Sequence, residues 1–120
     1  MANITVSIEA GKDGKSKILK YYGIRKEDYP AVIDRLMTPS LPNNPFRKPI
    51  PSKNIMKAWV KGDQICVAVS DDKIGDFLKT GLVGIMAGLK KTGHYSEEEM
   101  GQLVDKTDFA LNKPDNEALK

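Results

Sequence analysis

The chain has one histidine and one cysteine, and each is a candidate for chemistry. His94 stands in Thr92-Gly93-His94-Tyr95, just ahead of Glu97, Glu98 and Glu99. An imidazole beside a carboxylate can move protons, but a histidine placed after a helix reads first as a surface turn residue. Cys66 as a nucleophile would need a nearby base and an electropositive pocket, and it lies in mid-strand sequence, where nucleophiles are uncommon. A single His and a single Cys cannot build a His/Cys structural zinc site within one chain. The sequence therefore calls for no catalytic residue, no metal and no cofactor.

Gly11-Lys12-Asp13-Gly14-Lys15-Ser16 ends like a phosphate-binding loop, in Gly14-Lys15-Ser16. Such a loop needs another glycine five positions before Gly14, and Glu9 occupies that place. Its carboxylate would repel phosphate. What survives is a possible anion-binding turn at Lys12, Gly14, Lys15 and Ser16, with Asp71 or Asp72 as conceivable partners for a metal. The richer constellation is Trp59, the only tryptophan, between Lys57 and Lys61. Arg47, Lys48 and Lys53 extend it upstream. An indole flanked by cations can stack on a base or anchor a protein interface.

These residues need a scaffold. Lys61-Gly62-Asp63-Gln64 is a hairpin turn, because a two-residue Gly-Asp loop suits the primed turns that join twisted strands. It predicts strands over 55–61 and 64–70, with Val60 opposite Ile65, Ala58 opposite Val67 and Met56 opposite Val69. That face is apolar and is expected to meet the core. The other face carries Ile55, Lys57, Trp59, Lys61, Gln64, Cys66, Ala68 and Ser70. The alternation of Ile4, Val6 and Ile8 predicts a further strand over 3–9.

Helices are predicted over 16–22, 29–37, 72–91 and 96–111. Ser16 would cap the first, with Ile18, Leu19 and Tyr22 inward and Gly23 as its stop. Pro30 suits the opening turn of the second. This pair loosely has the shape of a helix-turn-helix, but Pro30 would fall inside the reading helix and disrupt it. In 72–91, Ile74, Phe77, Leu78, Leu82, Ile85 and Leu89 recur at helical spacing, and Gly93 ends the run. Gly81, Gly84 and Gly88 would let this helix approach a neighbour closely. Its apolar residues cover more than one face, which suggests a homodimer through 72–91. Its apolar run is far short of the roughly 20 residues of a membrane span. Ser96 with Glu99 makes a capping box for the last helix. The segment 38–54 holds five prolines and reads as an irregular loop, and 112–120 as a frayed tail.

Together these elements give one small α+β domain, an antiparallel sheet of three or more strands packed against helices mainly on one side. At 120 residues the chain can bury a core without disulfides. The lone cysteine and the N-terminus, Met1-Ala2-Asn3-Ile4, which lacks a signal-peptide pattern, point to the cytoplasm. The net charge of +3 hides an asymmetry. Residues 1–61 hold 12 Lys/Arg against 5 Asp/Glu, and residues 62–120 hold 7 against 11.

The expected function is a non-enzymatic binding protein, inhibitory or accessory in the manner of phage and mobile-element proteins. It would bind an acidic protein, or a complex of protein and nucleic acid, through Arg47, Lys48, Lys53, Lys57, Trp59 and Lys61. Direct nucleic-acid binding by the same basic half is the alternative. A small nucleotide- or anion-binding protein using Gly11–Ser16 is a third.

Overall fold

The computed structural model describes residues 4–38, 50–51 and 54–112. Strands β1 (Thr5–Ala10), β2 (Ser16–Tyr22), β5 (Lys57–Lys61) and β6 (Gln64–Ser70) form an antiparallel sheet in the order β1-β2-β6-β5. The strands β3 (Met37–Thr38) and β4 (Ile50–Pro51) pair separately. Helix α1 (Tyr29–Leu36) follows β2 after a 3₁₀ turn. A helical run from Asp71 to Thr92 follows β6, with α2 (Ile74–Asp76) and α3 (Leu82–Thr92) joined by a π-helical stretch, Phe77–Gly81. Helix α4 (Glu97–Asn112) closes the chain. The architecture is α+β, as the sequence predicts.

The hairpin register is the predicted one for Val60 with Ile65 and Ala58 with Val67. Gly62 takes a left-handed φ of 61° and Asp63 does not. A primed turn with glycine at its first central position has that pattern. The prediction fails at the strand's start. The ladder ends at Lys57 with Ala68, and the Met56 N–H donates to the Ala68 carbonyl. Met56 is 47% exposed instead of opposing Val69. Val60, also expected inside, is 44% exposed at the turn end of the edge strand β5.

The larger correction concerns residues 16–22, which form a strand and not a helix. Strand neighbours on both sides, β1 and β6, decide this. Leu19 and Tyr21 then share one face and Ile18, Lys20 and Tyr22 the other. Ile18, Tyr21 and Tyr22 are residues that favour a pleated surface. The helix-turn-helix reading falls with the helix.

The core lies between the sheet and the helices. Leu19, Tyr21, Ile65, Val67 and Val69 project from the sheet, and Val32, Leu36, Leu82, Ile85, Leu89 and Leu103 from the helices. Helix α1 lies against α3 at Gly88, where a Cβ would stand 2.7 Å from the Ala31 carbonyl oxygen and 3.0 Å from Val32 Cα. The expected close approach is therefore made to another helix. At the π-helical stretch, the Phe77 ring fills the place of a side chain on Gly81. Gly93, with φ of 75°, stops α3 in the left-handed conformation. Ser96 and Glu99 cap α4 reciprocally: the Ser96 N–H donates to the Glu99 carboxylate, and the Glu99 N–H to Ser96 Oγ, both at 3.0 Å.

These glycines differ in consequence. Gly88→Ala forces α3 off the α1 backbone and is expected to cost roughly 1–3 kcal/mol. Gly101→Ala on α4 meets nothing within 4 Å and is expected to gain about 0.5–1 kcal/mol in helix propensity. Urea unfolding midpoints of the two variants should move in opposite directions.

Candidate functional site

Strand pairing puts a second set of side chains on the sheet face opposite the core. Three rows cross it: Thr5, Tyr22, Gln64 and Lys61; Ser7, Lys20, Cys66 and Trp59; Glu9, Ile18, Ala68 and Lys57. All the helices among the described residues contribute to the core on the other side, so no described helix covers this face. Trp59 and Tyr22 are half-buried and sit diagonally across β6. From strand spacing and rise, their Cα atoms are about 12 Å apart.

The cations around them are not equivalent. Lys57 lies over the Trp59 ring, with Nζ 5.5 Å from the ring centre, a contact worth about 0.5–1 kcal/mol at an exposed site. Lys20 forms an ion pair with Glu9. The hydrogen bond in that pair holds the Glu9 carboxyl below its ordinary range and lifts the Lys20 ammonium above its own. Lys61 is exposed at the end of β5. Gln64 Oε1 is shielded and has no hydrogen-bond partner among the described residues. Cys66 is 1% exposed under its neighbours, and burial raises its thiol pKa.

Of the residues picked from the sequence, Lys57, Trp59 and Lys61 come together here. Arg47, Lys48 and Lys53 lie outside the described residues. Lys20 and Tyr22 were not anticipated, because a helix over 16–22 turns Tyr22 inward. The signal that could have found them is the glycine-rich turn at 11–14, which joins two strands as readily as it precedes a helix.

The turn itself offers little to an external anion. The Lys15 N–H and the Ser16 hydroxyl both donate to Asp13 Oδ1, at 2.9 and 2.8 Å. These bonds hold the Asp13 carboxyl below its usual range. An incoming anion would have to displace that carboxylate, while Lys12 and Gly14 stand exposed. Asp71 pairs with Lys17 at 3.1 Å, and Asp72 accepts a hydrogen bond from Ser70. Among the described residues, no group of three or more His, Cys, Asp and Glu side chains gathers as for a metal ion.

His94 meets a carboxylate, though not one of the glutamates beside it in sequence. Its Nδ1 lies 2.9 and 3.0 Å from the oxygens of Asp28, which is 2% exposed at the start of α1. The Tyr95 hydroxyl donates to the same carboxylate at 2.8 Å and accepts from the Arg25 N–H at 2.8 Å. This clasp ties the α3–α4 corner to the entry of α1. It belongs to the helix layer, whereas Cys66 points to the open face, so the two do not form a nucleophile–base pair. Burial pushes the Tyr95 hydroxyl up to about 12, with Asp28 adding to the effect.

No protein-family model matches the chain, and neither a curated protein nor a solved structure is similar to it.

Two measurements check this geometry. Cys66 in the native protein is expected to react with a soluble thiol reagent far more slowly than in the urea-unfolded chain. Equal rates would place the thiol outside the face as described. Tyr95 ionises at about pH 10 unfolded and about 12 folded. Its contribution is therefore complete below pH 10 and is lost as pH rises from 10 to 12. Stability measured by urea unfolding should fall over that window, and less steeply in Tyr95→Phe.

Proposed function

We propose that this chain is a non-enzymatic binding protein whose open sheet face holds an anionic macromolecular partner. One observation carries the reading. Trp59 and Tyr22 share that face with Lys20, Lys57 and Lys61, while the helices lie on the other side of the sheet. Rigid aromatics of this kind anchor interfaces. The lysines give the face a majority of positive charge, since Glu9 is its only acidic member in those rows. Charge of one sign on a flat surface steers a partner of the other sign toward it. An inhibitory or accessory role, exerted by occupying or bridging the partner, needs nothing beyond such a surface. Among the described residues no helix is long and apolar enough to cross a membrane.

Self-association is a second reading, favoured by a separate observation. Val83 is 52% exposed on α3. It opens onto a groove of about 410 Å³ with Met86, Ala87, Met100 and Gly101. A second copy meeting the helical run 72–91 would cover these side chains.

The first reading is tested by capture from native lysate with immobilised protein. The wild type is expected to retain a partner that Trp59→Ala and the double variant Lys57→Glu/Lys61→Glu release. Trp59 is half-buried at the rim, so its loss should leave the fold intact, which circular dichroism will verify. Equal retention by all three proteins would refute the use of this face.

A further inference from the structure

The next step rests on that reading of the open face and narrows its partner: we infer that the face binds single-stranded nucleic acid. Tyr22 and Trp59 supply two aromatic platforms on one flat sheet, separated by the width of β6. Every nucleobase has a π-face, so such platforms take unpaired bases with little regard to sequence. Bases in a duplex are already stacked on one another and present no face to them.

The cations suit the backbone that would run beside those bases. Lys57 and Lys61 stand two residues to either side of Trp59 on β5, about 13 Å apart along the strand. A base stacked on Trp59 sends its two flanking phosphates toward these ammonium groups. Lys57 now rests over the indole, and base stacking outweighs an exposed cation–π contact. The base therefore displaces the ammonium, which swings to the phosphate.

Two further residues fit. Gln64 lies between Tyr22 and Lys61, and its side-chain oxygen has no partner among the described residues. Its amide can turn to a base edge, which offers the missing donor. Glu9 is the opposing term, because its carboxylate both repels phosphate and occupies Lys20. An acidic protein fits less well. Ile18 and Ala68 are the only aliphatic side chains in the three rows, whereas a protein interface wants an apolar centre.

The fluorescence of Trp59, the sole tryptophan, reads the site directly. The protein is titrated with a single-stranded oligothymidylate of roughly 12 nucleotides, a duplex of equal length, and poly-glutamate. Quenching by the single strand is expected at least about 10-fold more tightly than by the duplex. Its affinity should fall with salt at a log–log slope of roughly −1.4, from Lys57 and Lys61 at about 0.7 each. Tyr22→Ala should weaken it about 10-fold or more. Lys57→Glu, at an exposed position, should weaken it without touching the fold, and Glu9→Gln should tighten it. Duplex binding as tight as single-strand binding, or a response that salt leaves unchanged, overturns the inference. Quenching by poly-glutamate alone overturns it too, while the broader reading of an anionic partner stands. Silence with all three probes removes both.

Discussion

The parity of the pairing between β2 and β6 is the constraint on which the molecule depends. These strands lie at the centre of the sheet, with Leu19 opposite Val67 and Tyr21 opposite Ile65. Each of those four side chains is at most 1% exposed. Burying side chains of this size contributes roughly 1.5–3 kcal/mol apiece. A slip by one residue would invert one strand against the other, sending Lys20 or Cys66 toward the helices and turning that strand's core residues outward. No gain on the other side could offset that loss. The open face is thus set by the core: Tyr22, Lys20 and Trp59 point outward because Leu19, Tyr21 and Ala58 must point inward.

The helix layer holds this arrangement from behind. Tyr21, buried in the sheet, has its hydroxyl 3.2 Å from Thr107 Oγ1 on α4. Lys106 on the same helix donates to the Ile4 carbonyl at the head of β1, at 2.6 Å. At the opposite end, Asp28, His94 and Tyr95 link the α3–α4 corner to α1. Gly88 then lets α1 and α3 meet backbone to backbone. With the helices committed to one another and to one side of the sheet, no described helix covers the polar residues of the other side. Binding on such a preformed surface costs less ordering entropy than binding by a loop.

Much of this was legible in the residues. Gly62-Asp63 encodes the hairpin because its turn chemistry allows few alternatives, and β6 has the predicted bounds, 64–70. The Ser96–Glu99 capping box and the Gly93 stop were equally readable, since both are local. The strand over 16–22 was not. Ile18, Leu19 and Tyr22 fit a helical stripe, Ser16 fits a cap, and nothing nearby breaks the tie. The tie is broken by β6, some fifty residues away in sequence, and with it went Lys20 and Tyr22. The carboxylate partner of His94 was hidden for the same reason. Its neighbours in sequence are glutamates, whereas its partner in space, Asp28, is 66 positions distant.

Charge counting along the chain is a poor guide to where charge acts. Residues 1–61 carry 12 basic side chains, yet strand parity sends only a few of the described ones to the open face. Lys17 belongs to the other side and pairs with Asp71. Lys12 and Lys15 lie in the β1–β2 turn, Arg25 pairs with Glu27, and Arg35 rides on α1. Lys20, Lys57 and Lys61 reach the face because each occupies the outward phase of its strand. Trp59 shares that phase with Lys57 and Lys61, and β2 sits where Lys20 and Tyr22 can join them. This grouping of aromatics and lysines thus arises from alternation within strands and their order in the sheet, with the overall excess of basic residues contributing only its raw material.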